Sequence, residues 1–254
     1  MHGAVMTSSE TKYYVGTSGW QYDHWRGVFY PDGLAKTRWF EHYRAHFNSV
    51  EINATFYGRF KDSTWRTWRD RAPRAFKYVV KAPRLITHMR HLKNVCGDIE
   101  TFMRSAMLLG DSLGCVLLQL APNTPYDPGV LRDALNCFPD PRRVAVEFRD
   151  EKWLTDETRA ALHDTGSALC NADSPRAGFA GWAVPPIGYY RLHGRGRWYA
   201  HDYSDDELAE IARFIRGQAR GGVNECFVFF NNDAHGFAVK NAKTLALLLT
   251  NGLS

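Results

Sequence analysis

No stretch of the chain holds the ~20 consecutive apolar residues that a bilayer-spanning helix needs, so no transmembrane segment is expected. The opening MHGAVMTSSETK has no apolar core of signal-peptide length. Residues 1–12 therefore read as a flexible leader, and the cytoplasm is the expected compartment. Cysteine is scarce as well. The five, Cys96, Cys115, Cys137, Cys170 and Cys226, are odd in number, scattered and mostly set in apolar stretches, which predicts reduced core thiols rather than a disulfide framework or a zinc site. A Gly-rich dinucleotide fingerprint is missing after the first strand, because GTSGW has the wrong spacing and runs into aromatics. Acidic residues are thin in one place. Between Arg59 and Lys93 eleven Lys or Arg face two Asp, an excess of nine against +5 for the whole chain. Such a segment either attracts phosphate-bearing partners or forms a solvated helix face.

What is present is a regular alternation. Eight β-rich runs occur, at Tyr13–Gly16, Ser49–Asn53, Phe76–Lys81, Cys115–Leu120, Arg143–Phe148, Ser167–Asn171, Gly188–His193 and Glu225–Asn231. Amphipathic segments lie between them, at Leu34–Phe47, Ser63–Arg71, Ile99–Leu109, Pro128–Phe138, Thr155–Asp164, Asp205–Ala219 and Val239–Leu249. Thr155 and Ser204 are suited to be N-caps, each followed by acidic residues. Between runs six and seven, DSPRAGFAGWAVPPIG is too short and too rich in Gly and Pro for a full helix. The α/β count predicts a single TIM-type (β/α)8 barrel over residues 13–254, with a reduced helix between strands 6 and 7.

In a parallel barrel, sites gather at the C-terminal ends of the strands, and alternate residues point inward. Those ends carry Glu51 and Asn53, Lys81, Gln119, Glu147 and Arg149, Asn171 and Asp173, Arg191 and His193, and Asn231 with Asn232. Glu51 with Asn53, Glu147 with Arg149, and Arg191 with His193 are each two apart and share a face. Val50, Ile52, Val146, Phe148, Tyr190 and Leu192 take the other face and suit packing under helices. The polar set is predicted to ring the barrel mouth, either as a ligand site or as a neutralised ion-pair network over the core.

Six stretches in order resemble the YecE-like family, also called domain of unknown function 72. They are VGTSGWQYDHWRGVFYP (15–31), VEINATFY (50–57), VKAPRLITH (80–88), VEFRDEKW (146–153), YRLHGR (190–195) and FFNNDAHGFAVKNA (229–242). The resemblance implies a TIM-type barrel and no established reaction. Two places depart from the family pattern, which has His after EFR and Pro-Pro after QL. Asp150 and Ala121-Pro122 stand there, so no role for that histidine transfers.

Several chemistries fit the ring. With an anionic ligand, phosphate-containing or nucleic acid, Lys81, Arg149 and Arg191 would be charge-assisted donors and Asn53, Tyr57, Asp173, Asn231, Asn232 and Trp20 further contacts. The loops HGRGRWY and NNDAHGFA fall where many barrels hold phosphate. Hydrolytic acid/base work would then fall to Glu51, Glu147 and His193 as catalytic residues. The basic segment and the aromatics Trp20, Tyr22, Trp25, Tyr57 and Trp198, read as exposed, extend the reading toward nucleic acid. A glycoside hydrolase would use Glu51 and Glu147 as its carboxyl pair. A divalent-metal hydrolase would need Glu51, Glu147, Asp173 and His193 to converge. The remaining alternative is a non-catalytic binder of nucleic acid or a small anion. The sequence names no cofactor, metal or oligomeric state.

Overall fold

In a computed structural model of the protein, which describes residues 11–250, eight parallel strands form one sheet in the order β1-β8-β7-β6-β5-β4-β3-β2. They are β1 (Lys12–Thr17), β2 (Ser49–Ile52), β3 (Lys77–Lys81), β4 (Leu113–Gln119), β5 (Val144–Glu147), β6 (Ala168–Asp173), β7 (Ile187–Leu192) and β8 (Glu225–Phe230). All eight predicted runs are strands, and the sheet curls into a nearly closed TIM-type barrel. Ten of the twelve residues of the predicted leader lie outside the described residues, and Lys12 already opens β1.

Helices α1 (Trp39–Arg44), α2 (Ala54–Tyr57), α3 (Asp62–Arg71), α4 (Cys96–Ala106), α5 (Pro128–Asn136), α6 (Asp156–Thr165), α7 (Asp205–Ala219) and α8 (Phe237–Thr250) connect the strands. No helix separates β6 from β7, as the Gly- and Pro-rich connection predicts. The two predicted caps are in place. Thr155 accepts the amide of Thr158, and Ser204 and Glu207 form a reciprocal capping box at the start of α7. The segment 34–47 departs from expectation by forming a short 3-10 turn (Lys36–Arg38) ahead of a helix of only six residues. Its last turn mixes i→i+3 with i→i+4 bonds, and Asn48 just beyond it reaches β1.

The predicted parity is the division between the two apolar layers. Val50, Ile52, Val146, Tyr190 and Leu192 belong to the shell between strands and helices. The barrel interior is a separate cluster built around Tyr14, Val79, Leu117, Cys170, Tyr189 and Phe229. Each strand thus serves two cores, and a shift by one residue would exchange their contents.

The seam lies between β1 and β2, where side chains bridge the edges. Asn48 accepts the amide of Val15 (3.0 Å) and donates to the carbonyl of Tyr13 (2.8 Å). The Tyr43 hydroxyl receives the Thr17 amide (2.9 Å) and donates to the Ser49 carbonyl (3.0 Å). An Asn48→Ala variant removes both of the Asn48 bonds to the β1 edge. It is expected to lose about 1–3 kcal/mol in denaturant unfolding. Unchanged stability would show that water replaces the amide.

The expectation that all five cysteines are reduced is corrected. Cys115, Cys170 and Cys226 are buried free thiols, but Cys96 is disulfide-bonded to Cys137. These residues are 41 apart in sequence, with Cα atoms 5.1 Å apart. One opens α4 and the other caps the end of α5. Scatter along the chain says nothing of distance once the chain is wrapped around a barrel. No helix among the described residues is long and apolar enough to cross a membrane.

Candidate functional site at the barrel mouth

At the C-terminal ends of the strands the interior changes from apolar to charged. Arg191, the last inward residue of β7, is 2% exposed and joins two buried glutamates from across the barrel. Its Nη2 donates to Glu51 Oε1 (2.7 Å) and its Nη1 to Glu147 Oε2 (2.6 Å). Glu51 also accepts from the hydroxyls of Ser18 (2.9 Å) and Tyr189 (2.7 Å). Glu147 Oε1 lies 2.9 Å from Arg149 Nε and 3.7 Å from His193 Nε2.

Burial alone would raise both carboxyls. The Arg191 guanidinium reverses this, helped at Glu51 by the hydrogen bonds from Tyr189, Arg191 and Ser18 and at Glu147 by Arg149 and His193. Both therefore titrate below the usual glutamate value, Glu147 well below it. Arg191 is held charged by the same pair, against its own burial. Removal from water acts the other way on His193, whose ring is pushed toward the neutral form. Its Nδ1 lies 3.1 Å from the Asn231 amide nitrogen.

Lys81, the last residue of β3, points into the same mouth. Its ammonium donates to Gln119 Oε1 (2.8 Å) and sits 4.1 Å from the centre of the Phe56 ring. Burial, and then the charge of Arg191, push its pKa down to about 8 despite the opposing pull of the two glutamates. Phe56 is placed by α2, which begins right after β2 and is fastened when Thr55 donates to the Lys81 carbonyl (2.7 Å). The Gln119 Nε2 group is buried with no protein partner.

A cleft of about 510 Å³ opens above β4, β5 and β6, and is lined by His88, Gln119, Glu147, Arg149, Arg176 and Trp198 among others. It sits over the shortest ladder of the sheet, since β5 and β6 pair only through Ala145 with Ala168 and Val146 with Leu169. Arg149 lies over its wall, with the guanidinium 5.8 Å from the Trp198 ring. Asp150 stands at the rim, ion-paired with Lys152 at 2.9 Å.

The structure thus brings together Glu51, Lys81, Glu147, Arg149, Arg191, His193 and Asn231, as parity predicts. Others fall elsewhere. Asp173, read as part of the ring, is paired with Arg195 (3.0 Å), and Asn232 donates to the His201 carbonyl and to Asn241, both at 2.7 Å. Asn171 ties down the β6–β7 connection by donating to the Trp182 carbonyl and accepting the Ala180 amide. Asn53 stands at the N-cap position of α2 but makes no side-chain cap bond, and its Oδ1 is buried and unpartnered. The four ligands imagined for a divalent metal do not converge, because Asp173 is drawn to Arg195 and both glutamates to Arg191. A glycosidase pair is disfavoured too, since neither glutamate is held protonated.

The aromatics also divide. Trp20 and Trp25 are buried rather than exposed, and Trp20 packs against Phe40. Tyr22 and Trp198 are half-buried, and Tyr57 is exposed but lines a different groove beside Phe60 and Met89. The loop after β8 is closed by the β1 loop, with His24 and the Trp25 indole on the Asp233 carbonyl. Lys81, Gln119 and Arg149 therefore lie together on the β3–β5 side.

Two contacts of the ring, Tyr189 and Ser18, were not picked out from sequence. Tyr189 precedes Arg191 by two and Ser18 follows Gly16 by two, so the same parity rule reaches both.

Comparisons place this geometry among known proteins. Residues 14–253 match the family model described as "Protein of unknown function DUF72". The chain is 26% identical to UPF0759 protein YunF of Bacillus subtilis strain 168, over 93% of this chain and 94% of that protein. Among solved structures, a DUF72 family protein of Thermotoga maritima aligns with a TM-score of 0.85 at 28% identity, covering 94% of this chain and 99% of that one. Another, from Enterococcus faecalis V583, aligns at 0.80 with 18% identity over 95% and 97%.

Proposed function

For a chain that belongs to the DUF72 family, proteins of unknown function, we propose that the barrel mouth binds a small ligand bearing a phosphate or carboxylate group. The observation that carries this reading is how the ring's charges are engaged. Glu51 and Glu147 are taken up by Arg191, Glu51 further by two hydroxyl donors and Glu147 by its ion pair with Arg149. Of the carboxylates that line the cleft, Glu147 and Asp150 are ion-paired, which leaves as donors there Arg149 and the orphan Gln119 amide, with the Lys81 ammonium behind Gln119. A buried donor without an acceptor is costly, and an oxyanion relieves several at once.

The reading is one of binding and includes no hydrolysis. His193 is fully buried with Nε2 toward Glu147 and Nδ1 toward the Asn231 amide, and neither glutamate is poised to give a proton. The size of the cleft favours a small molecule over a nucleic-acid strand.

Titration calorimetry with inorganic phosphate and with sugar phosphates tests it. Arg149→Ala is expected to weaken phosphate binding about 10- to 100-fold, the equivalent of one charge-assisted contact of ~1.5–3 kcal/mol. Equal affinity in wild type and variant would remove Arg149 from the site. Tighter binding of an oligonucleotide, with a steep salt dependence, would move the function to the basic surface instead.

A further inference from the structure

We propose that Lys81 is a covalent site, where the ε-amine forms an imine with the carbonyl of a small compound carrying its anionic group beside that carbonyl, such as a 2-oxo acid or a carbonyl phosphate. This rests on the anion-binding reading and goes beyond it by naming the class of ligand and a bond.

A lysine that only supplies charge is normally paired with a carboxylate. Lys81 makes no ion pair among the described residues, because the two lumen carboxylates are held by Arg191 and Arg149. Its neighbours are instead a neutral amide, Gln119, and an aromatic face, Phe56. It is 8% exposed, and Arg191 adds a like charge from within the barrel. Desolvation beside a second cation is how enzymes obtain an amine nucleophile from lysine. With a pKa near 8, on the order of a tenth of the molecules hold the free amine at neutral pH, against well under a thousandth for an ordinary lysine.

The surroundings fit the rest of the ligand. Gln119 touches Lys81 through Oε1, is part of the cleft lining and has a buried, unpartnered Nε2. Arg149 is close enough for its charge to act on Lys81, and its guanidinium is partly open to the cleft. An oxyanion on these two donors would bring a neighbouring carbonyl carbon toward the amine.

The step balances without an oxidant or reductant. The nitrogen lone pair forms an N–C bond as the C=O π pair moves to oxygen, which takes a proton from water in the open cleft. The nitrogen gives up both of its protons in turn, the first restoring the water and the second going to the hydroxyl; the C–O bond then breaks with water as the leaving group, and the nitrogen lone pair closes C=N.

The test is reductive trapping. The full-length protein is incubated with pyruvate or dihydroxyacetone phosphate, reduced with borohydride, digested and mapped by mass spectrometry. The expected result is one adduct, on Lys81, with at least one of the two probes; the more effective probe tells whether carboxylate or phosphate is preferred. Lys81→Arg, which keeps a cation against Phe56 and Gln119, is expected to lose the adduct while retaining a cooperative thermal transition. Lys152→Met, at the rim, is expected to keep it. An adduct that persists in Lys81→Arg, or that spreads over surface lysines, overturns the proposal. So does absence of an adduct in wild type that binds phosphate in the calorimeter, a result that leaves the anion site standing. Failure to bind phosphate or either probe brings down the anion reading itself.

Discussion

Replacement of Arg191 by Met is expected to destabilise the fold by about 3–5 kcal/mol, the usual consequence of removing one partner from a buried ion network. For a chain of this size that is a fall in Tm on the order of 10 °C. The volume of the side chain is largely kept, so the loss reports charge. Glu51 and Glu147 would remain buried, with Glu51 reduced to its two hydroxyl donors and Glu147 to Arg149 and His193.

The pH dependence separates this from a packing defect. In the wild type both carboxyls titrate below 4.5 in the folded chain, so the stability they contribute is complete above that value and is lost as pH falls through their folded pKa values. Without Arg191 burial dominates and raises them, and the folded variant then takes up protons more readily than the unfolded one. The gap between wild type and variant should therefore narrow on acidification from about pH 7.5 to about pH 5. Thermal unfolding at the two pH values decides it. A gap that is constant with pH, or below ~1 kcal/mol, would mean that the triad contributes little.

Gly16→Ala is expected to be nearly as damaging, for a steric reason. A Cβ built there lies 2.1 Å from the Ser49 carbonyl oxygen and 2.8 Å from the Tyr43 hydroxyl. The obstacle is backbone of the neighbouring strand and cannot rotate away, so β1 and β2 must separate. Overpacking usually costs about 1–3 kcal/mol, and this site belongs at or above the upper end. The same movement would part Ser18 from Glu51, since Ser18 directly follows β1 and Glu51 lies two residues beyond Ser49 on β2. Gly97→Ala, in the first turn of α4 where nothing lies within 4 Å, is the control. It is expected to be neutral or to stabilise by up to ~1 kcal/mol. Denaturant midpoints for the two variants check the contrast, and similar values would show that the seam has slack.

The barrel was legible in the sequence because its evidence is local. Strand runs such as Val144–Glu147 and Ile187–Leu192 announce themselves by composition, and the two-residue period of a strand assigns Glu51, Glu147 and Arg191 inward and Val50, Val146 and Tyr190 outward without any tertiary information. The short connection between β6 and β7 and the caps at Thr155 and Ser204 are local in the same sense. Motif order was enough to point to the family.

Which inward groups pair, and so which remain to meet a ligand, was decided only by the tertiary structure. Asp173 and Arg195 are 22 residues apart and meet because β6 and the loop after β7 are neighbours in space; that contact takes Asp173 out of the ring. Arg191 reaches Glu51 across 140 residues and Glu147 across 44, turning two presumed catalytic acids into one ionised cluster. The pairing of Cys96 with Cys137 and the burial of Trp20 are of the same kind. Parity depends on backbone geometry that repeats every two residues and can be read along the chain. Pairing depends on distances across the barrel and on the removal of water there, and neither is encoded in any single segment.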